Sequence, residues 1–402
     1  MFDSTVITNA RLPGRSGLYQ ISIKDGVVDA IVSVEDAQIA SSSKIEANAV
    51  RDVGGGWVSL GAVDLQINGA LGLAFPDLRL GQLDRLQTIC ELLWKQGVSG
   101  FCPTLVTTSL ENFHGSLAAI QSFQKKQAAS GVFGGVPGSA KVLGAHLEGP
   151  FLNEAKRGAH PAEYLQPLTL KAMKQVVGDF ADAISIMTLA PEQAADDDVI
   201  SWLTSQGITV SLGHSLANAA QAERAFDQGA TMVTHAFNAM PGLHHREPGL
   251  LGAALTDSRV FCGFIADGQH ICKTMLDLLL RVAKGTQTNA IAQAMGGLFL
   301  VSDALSPLGL PDGQYPWDSR TIEVVKGTAR LADGTLSGTT LPLVQGAVNL
   351  VEWELCSVED AIALVTQCPR QAIGLPLLAP GSPAHLLRWR QNADGQLTCE
   401  WL

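Results

Sequence analysis

The sequence predicts an α/β fold, a (β/α)8 TIM-like barrel with a small β-sandwich domain formed from both chain ends. Three observations predict it. From Trp57 onward, short apolar strands alternate with amphipathic helices, the texture of a parallel sheet with crossover helices. Eight such strands can be counted, the number that closes a barrel. Both chain ends instead carry short strand-like pieces punctuated by Gly, Asp and Ser. A length of 402 residues accommodates a barrel of about 250 residues plus a second unit. With 46% hydrophobic and only 16% charged residues, the chain has a core to bury and no disordered composition.

In chain order, residues 1–55 hold STVITNARL, GLYQISIKDG, VVDAIVSV and KIEANAVRDVGGG, all strand-like and without a long helix. This is the amino-terminal part of the small β domain. Residues 56–375 form the barrel, with strands VSLGAVDLQI, GVSGFCPTLVT, KVLGAHLEG, AISIMTLAPE, ITVSLGH, TMVTH, VFCGFIADG and LFLVSD. Clear helices such as LDRLQTICELLWKQG and TMLDLLLRVAKG lie between them. The fifth and sixth strands flank a helix for which Ser215 is the expected cap, Leu216, Ala219, Ala220 and Phe226 the apolar face, and Gly229 the stop. A hairpin is expected near 320–340, turning at Asp333-Gly334, followed by helices in LVQGAVNLVEWEL and SVEDAIALVTQCPRQAIG. Residues 376–402 read as strand, turn and strand around Asp394-Gly395, expected to pair with the amino-terminal β-layer.

A formal net charge of −11, with no run of Lys or Arg, points away from nucleic acid and from anionic membrane surfaces. The start MFDSTVITNARLPG has neither a basic nor an apolar leader region, and no apolar run reaches the ~18 residues of a membrane span, so the expected location is cytoplasmic. The seven cysteines (Cys90, Cys102, Cys262, Cys272, Cys356, Cys368 and Cys399) are odd in number and include no C-x-x-C pair. They read as reduced core residues.

Chemistry in such a barrel collects where the strands end. The polar residues there are Gln66 and Asn68 after the first strand, Glu148 after the third, His214 after the fifth, His235 after the sixth, Asp267 and His270 after the seventh, and Asp303 after the eighth. A lone histidine there could simply cap its strand by bonding a backbone group. Two at matched positions on successive parallel strands favour a shared metal. With Glu148 they form a three-ligand set that leaves a coordination position open, as a catalytic zinc needs. Asp303 follows a nearly all-apolar strand, so its carboxylate reaches the rim; it reads as a general base, or else as a turn or cap residue. His146 is taken as a hydrogen-bonded core histidine rather than a further ligand.

The segments HLEGPFLN, KRGAHP, LGHS, THAFNAMPGLHHREPG, IADGQH, VSDA and GTLSGT, in this order, resemble the N-acetylglucosamine-6-phosphate deacetylase family of the amidohydrolase superfamily across residues 55–375. The resemblance implies that Glu148, His214 and His235 are metal ligands and that Asp303 is the catalytic acid/base. It implies that Asn238 and Ala239 contact a sugar phosphate, and that Arg246 meets the phosphate across the interface of a homodimer. His160, with Ala159 beside it, and His270 fall on substrate-binding histidines, and Leu336, Ser337 and Gly338 on a loop that closes over the substrate. The reaction implied is removal of the acetyl group by a metal-activated water, with protonated Asp303 serving the departing amine. Many amidohydrolases carry H-x-H after the first strand and a lysine after the fourth. Here Gln66-Ile67-Asn68 and AISIMTLAPE lack those second-metal ligands, so one divalent ion per chain is expected, with zinc the first choice. Other N-acyl substrates, such as N-acetylgalactosamine-6-phosphate or an N-acyl amino acid, and a non-catalytic scaffold of the same fold are the alternatives. The presence of all four metal and acid/base residues counts against the scaffold.

Overall fold

The structure, a computed structural model, describes residues 4–39, 49–130, 136, 138–195, 198–285, 294–392 and 395–402. Eight parallel strands follow the chain around the barrel: Ala62–Ile67, Val98–Val106, Ala145–Glu148, Ile184–Leu189, Thr209–Leu212, Met232–Val233, Phe261–Phe264 and Leu298–Leu300. Each hydrogen-bonds the next in order. The ring closes at the carboxyl-terminal rim, where Asp303 N donates to Gln66 O at 2.9 Å and Asn68 N to Ala304 O at 2.7 Å. These strands are buried on both faces because one face packs on helices and the other fills the barrel. Leu83–Lys95 shows the helical counterpart, burying Leu86, Ile89, Cys90 and Leu93 at helical spacing while its other face meets solvent.

The stretch VSLGAVDLQI is two strands, not one. Trp57–Leu60 pairs antiparallel with the carboxyl-terminal strand Leu386–Gln391, and only Ala62–Ile67 enters the barrel. Gly61 is the break: a Cβ there would sit 2.5 Å from both Ser99 Cβ and the Trp401 ring, so only glycine fits. The tail strands Leu386–Gln391 and Leu397–Trp401 therefore pair with Trp57–Leu60, whereas the amino-terminal strands Ser4–Ala10, Tyr19–Lys24, Val27–Ser33 and Ala49–Asp52 form a separate four-stranded sheet. The two sheets share a core of Ile7, Ile21 and Val28 against Val58, Leu60 and Leu386, which makes the sandwich from both chain ends. Asp394 of the expected turn, and residues 44–48 of KIEANAVRDVGGG, lie outside the described residues.

Two local expectations are corrected. The helix after the fifth strand is Ala219–Asp227, capped by Asn218 and not by Ser215: Asn218 Oδ1 accepts from Gln221 N and Gln221 Oε1 accepts from Asn218 N. This reciprocal box satisfies two otherwise unpaired N–H groups, which a serine three residues upstream cannot do. Leu216 is accordingly exposed. The hairpin is part of a four-stranded antiparallel sheet, Gly313–Trp317, Arg320–Val325, Thr328–Leu331 and Leu336–Thr339. Leu336, Ser337 and Gly338 thus belong to a strand and not to a loop. Thr339 N donates to Asp303 O, tying this sheet to the end of the eighth barrel strand. All seven cysteines are free, and Cys272 departs from the core reading by being exposed. Among the described residues no helix is long and apolar enough to cross a membrane.

Asp64, buried within the first barrel strand, accepts from Ser302 N and Gln66 N. Burial outweighs those bonds and raises its carboxyl to about 7. An unfolded aspartate titrates near 3.9, so the unfolded chain releases this proton between about pH 4 and 7 while the native one keeps it. The contribution is therefore present below about pH 4 and lost as pH rises to 7. Asp64→Asn keeps the acceptor oxygen and removes the charge. Urea unfolding at pH 8 should find the variant more stable than the parent by about 4 kcal/mol at most, with the gap closing by pH 4. An equal difference at both pH values would overturn this account.

Candidate active site

A cavity of about 680 Å³ opens at the carboxyl-terminal ends of the barrel strands. Its floor carries Asn68, Glu148, His214, His235 and Asp303, each from the end of a different strand, and its walls include Ala159, His160, Asn238, Ala239, His270, Leu336, Ser337 and Gly338. His214, His235, Phe237, Ala239 and Asp303 all have positive φ, between +24° and +73°. Non-glycine residues rarely adopt that backbone, and all of these but Phe237 line the cavity.

Three atoms converge at the floor. Glu148 Oε1 lies 3.2 Å from His214 Nε2 and 3.0 Å from His235 Nε2, and the two imidazole nitrogens are 3.0 Å apart. Three ligands about 2.1 Å from a tetrahedral zinc would be separated by about 3.4 Å, so this triangle is close to the size a metal demands. The electrostatics agree. Burial alone would raise the Glu148 carboxyl, but His214 and His235 reverse this and hold it well below its ordinary range. Burial would likewise depress His235, and Glu148 raises it instead. The field at the centre of the triangle favours a positive charge.

His160 is a second candidate third ligand, since Glu148, His160 and His214 have ligand atoms within 4.8 Å of one another. Distance separates the two histidines. His235 Nε2 lies 3.0 Å from both Glu148 Oε1 and His214 Nε2, whereas His160 Nε2 lies 4.0 Å from Glu148 Oε2. His160 Nδ1 is held by Thr107, 2.8 Å from its Oγ1 and 3.3 Å from its backbone N. Burial and His214 depress His160 to about 3, keeping it neutral. His214 has its tautomer fixed by a carbonyl. Its Nδ1–H donates to Lys156 O at 2.8 Å, which leaves the Nε2 lone pair aimed at the centre. His235 Nδ1 is buried without a partner, and its Nε2 faces the centre.

Amide groups surround the carboxylates. Gln66 Nε2 donates to Glu148 Oε1 at 2.9 Å, and its Oε1 accepts from Thr234. Asn68 Nδ2 donates to Asp303 Oδ1 at 2.7 Å, while Asn68 Oδ1 has no partner. Burial and the Glu148 charge raise Asp303 to about 6, within reach of both protonation states near neutral pH. Asp267 lies behind the floor, holding His270 Nδ1 at 2.7 Å so that the ring's other nitrogen is free for the cavity. His146 is a core histidine, bonded to Leu65 O and Thr188 Oγ1.

Arg246 is the predicted residue that the chain does not bring to the cavity; it is exposed and contacts His245. Sequence reasoning missed Thr107, Lys156 and Glu192. Glu192 accepts from Asn153 Nδ2, Ser215 Oγ and Leu216 N, tying together the loops that follow Glu148 and His214. Its position in APE after the fourth strand was the available signal.

The chain is 38% identical over 337 residues to N-acetylglucosamine-6-phosphate deacetylase of Bos taurus, covering 82% of this chain and 77% of the relative. It is 31% identical over 373 residues to N-acetylgalactosamine-6-phosphate deacetylase of Escherichia coli O157:H7, covering 92% of this chain and 90% of the relative. Among solved structures it is similar to a mutant N-acetyl-D-glucosamine-6-phosphate deacetylase from Mycobacterium smegmatis in complex with N-acetyl-D-glucosamine-6-phosphate. That similarity has a TM-score of 0.79 and 25% identity over 100% of this chain and 99% of the other. No family model matches the chain.

Proposed function

Because the chain belongs to the N-acetylglucosamine-6-phosphate deacetylase family of the amidohydrolase superfamily, we propose that it hydrolyses N-acetyl-D-glucosamine 6-phosphate to D-glucosamine 6-phosphate and acetate. The observation that carries this reading is the convergence of Glu148, His214 and His235 beside a buried, hydrogen-bonded Asp303. We assign the first three as ligands of one divalent cation, zinc by the chemistry of a Glu and two His donors. Such a cation supplies Lewis-acid polarisation of an acetyl carbonyl and acidifies a water.

The chain's own residues do the rest. Asp303 takes the proton of the attacking water and returns it to the sugar nitrogen as the C–N bond breaks. His160, held at Nδ1 by Thr107, offers its Nε2 to the substrate, and His270, oriented by Asp267, offers its second nitrogen. Gln66 and Asn68 direct amide N–H groups at the oxygens of Glu148 and Asp303, where a second cation would otherwise balance charge. This supports a single ion per chain. Leu336, Ser337, Gly338 and Ala159 wall the cavity around the substrate. A phosphorylated substrate, retained by its charge in the compartment that makes it, supports a cytoplasmic location.

The phosphate falls to Asn238 and Ala239, and to Arg246 supplied by the other subunit of a homodimer. Arg246→Ala should raise KM for the phosphorylated sugar by about 10- to 100-fold, the worth of a charge-assisted contact. Its effect on unphosphorylated N-acetylglucosamine should be small, and equal losses on the two substrates would remove Arg246 from the phosphate site. The test of the function itself is acetate release by zinc-loaded protein from N-acetylglucosamine 6-phosphate, from its 4-epimer and from unphosphorylated N-acetylglucosamine. The relative in Escherichia coli O157:H7 makes the 4-epimer, N-acetylgalactosamine 6-phosphate, the second reading. Release from that epimer alone would establish it.

A further inference from the structure

At the opposite end of the barrel, beside the amino-terminal ends of the first three strands, lies a second cavity of about 270 Å³ between the barrel and the carboxyl-terminal segment. Its charged lining is entirely basic. Arg370, Lys141 and His385 face it, and no Asp or Glu does, in a chain with 38 acidic and 27 basic residues. Arg370 has no carboxylate partner. Its Nη2 donates to Gly61 O at 3.0 Å and to Ser99 Oγ at 2.9 Å, its Nε is buried without an acceptor, and its Nη1 has no partner among the described residues. The Lys141 ammonium is also unpaired among the described residues. His385 packs edge-on against Trp94 and has no side-chain hydrogen bond among the described residues.

A guanidinium taken out of water without a counter-charge is costly, and the two acceptors it has found, a backbone carbonyl and a serine hydroxyl, are neutral. Burial depresses Arg370 to about 10, the direction expected of a cation lacking an anion. Stabilising the helix Gln367–Ala372 through Gly61 O accounts for Nη2 and leaves Nε, Nη1 and Lys141 unexplained. We propose that this cavity is an anion-binding site, separate from the active site, for a phosphate dianion or a compact phosphate monoester. Two cations, one at Arg370 with its Nε buried and one at the mouth at Lys141, match the charge of a dianion, and guanidinium geometry suits phosphate oxygens. Leu60, Leu143 and Leu375 provide apolar wall for a small organic body. This reading does not depend on the reaction catalysed at the other end of the barrel.

Inorganic phosphate titrated calorimetrically into the full chain, at constant ionic strength with chloride as control, tests it. The parent should bind one more phosphate per chain than Lys141→Glu or Arg370→Gln. Lys141 is an exposed residue far from the active site, so its variant keeps the fold and any phosphate binding at the active site even if Arg370→Gln does not fold. Equal phosphate stoichiometry and affinity in the parent and Lys141→Glu, or no binding above the chloride control, would overturn the proposal. Retention of the extra site in Lys141→Glu and in a folded Arg370→Gln would overturn it equally.

Discussion

Replacing Asp303 by Asn is expected to lower kcat for acetate release by about 1,000-fold, within the range attributable to a positioned acid/base, while metal content stays unchanged. The substitution is close to isosteric. Asn keeps an oxygen to accept from Asn68 Nδ2, now at 2.7 Å, so the floor of the cavity should hold its shape. What disappears is the capacity to take a proton and return it. The pH profile provides a second readout. The parent needs the ionised carboxylate to accept the proton, so kcat/KM should fall as pH drops through the Asp303 titration. Burial and Glu148 place that titration at about 6 for the residues alone, and a neighbouring cation favours the carboxylate and moves it lower. The residual activity of the variant should lack this acid limb. A variant that kept a tenth of the parent's rate, or the same acid limb, would remove Asp303 from the proton-transfer role.

How much of this was legible in the sequence follows from which interactions leave a local mark. The eight barrel strands were readable because each is a short apolar run bounded by turn residues. Glu148, His214, His235 and Asp303 stood out because each is an ionisable residue directly following such a run. The break at Gly61 was hidden because the reason for it, contact with Ser99 and Trp401, is distant in sequence. Ser215 was a plausible cap by residue type, and only the pairing of Asn218 with Gln221 decided against it. The antiparallel sheet over 313–339 was visible only as a hairpin because its outer strands are short and weakly alternating. Least legible of all were the groups that orient the histidines. Lys156 acts on His214 through a backbone carbonyl 58 positions away, which has no side-chain signature, and Thr107 holds His160 through its hydroxyl and backbone N–H from 53 positions away.

The last prediction concerns the identity of the third metal ligand, a choice between His235, whose Nε2 lies 3.0 Å from Glu148 Oε1, and His160, whose Nε2 lies 4.0 Å from Glu148 Oε2. His235→Gln should lose the bound ion, falling from one per chain to under a tenth after gel filtration in metal-free buffer, and lose activity by more than about 1,000-fold. Removing one of three protein ligands leaves a catalytic zinc without its minimum donor set. His160→Gln should keep the ion, because His160 Nε2 lies 4.0 Å from Glu148 Oε2, outside the closer triangle of Glu148, His214 and His235. It should lower kcat/KM by only about 10- to 100-fold, the scale of a lost hydrogen bond to substrate. Elemental analysis of the two purified variants decides the matter without any assay. Metal lost from His160→Gln but retained by His235→Gln would transfer the ligand role to His160. Two ions per chain at high occupancy in the parent would instead mean that Gln66 and Asn68 do not stand in for a second cation.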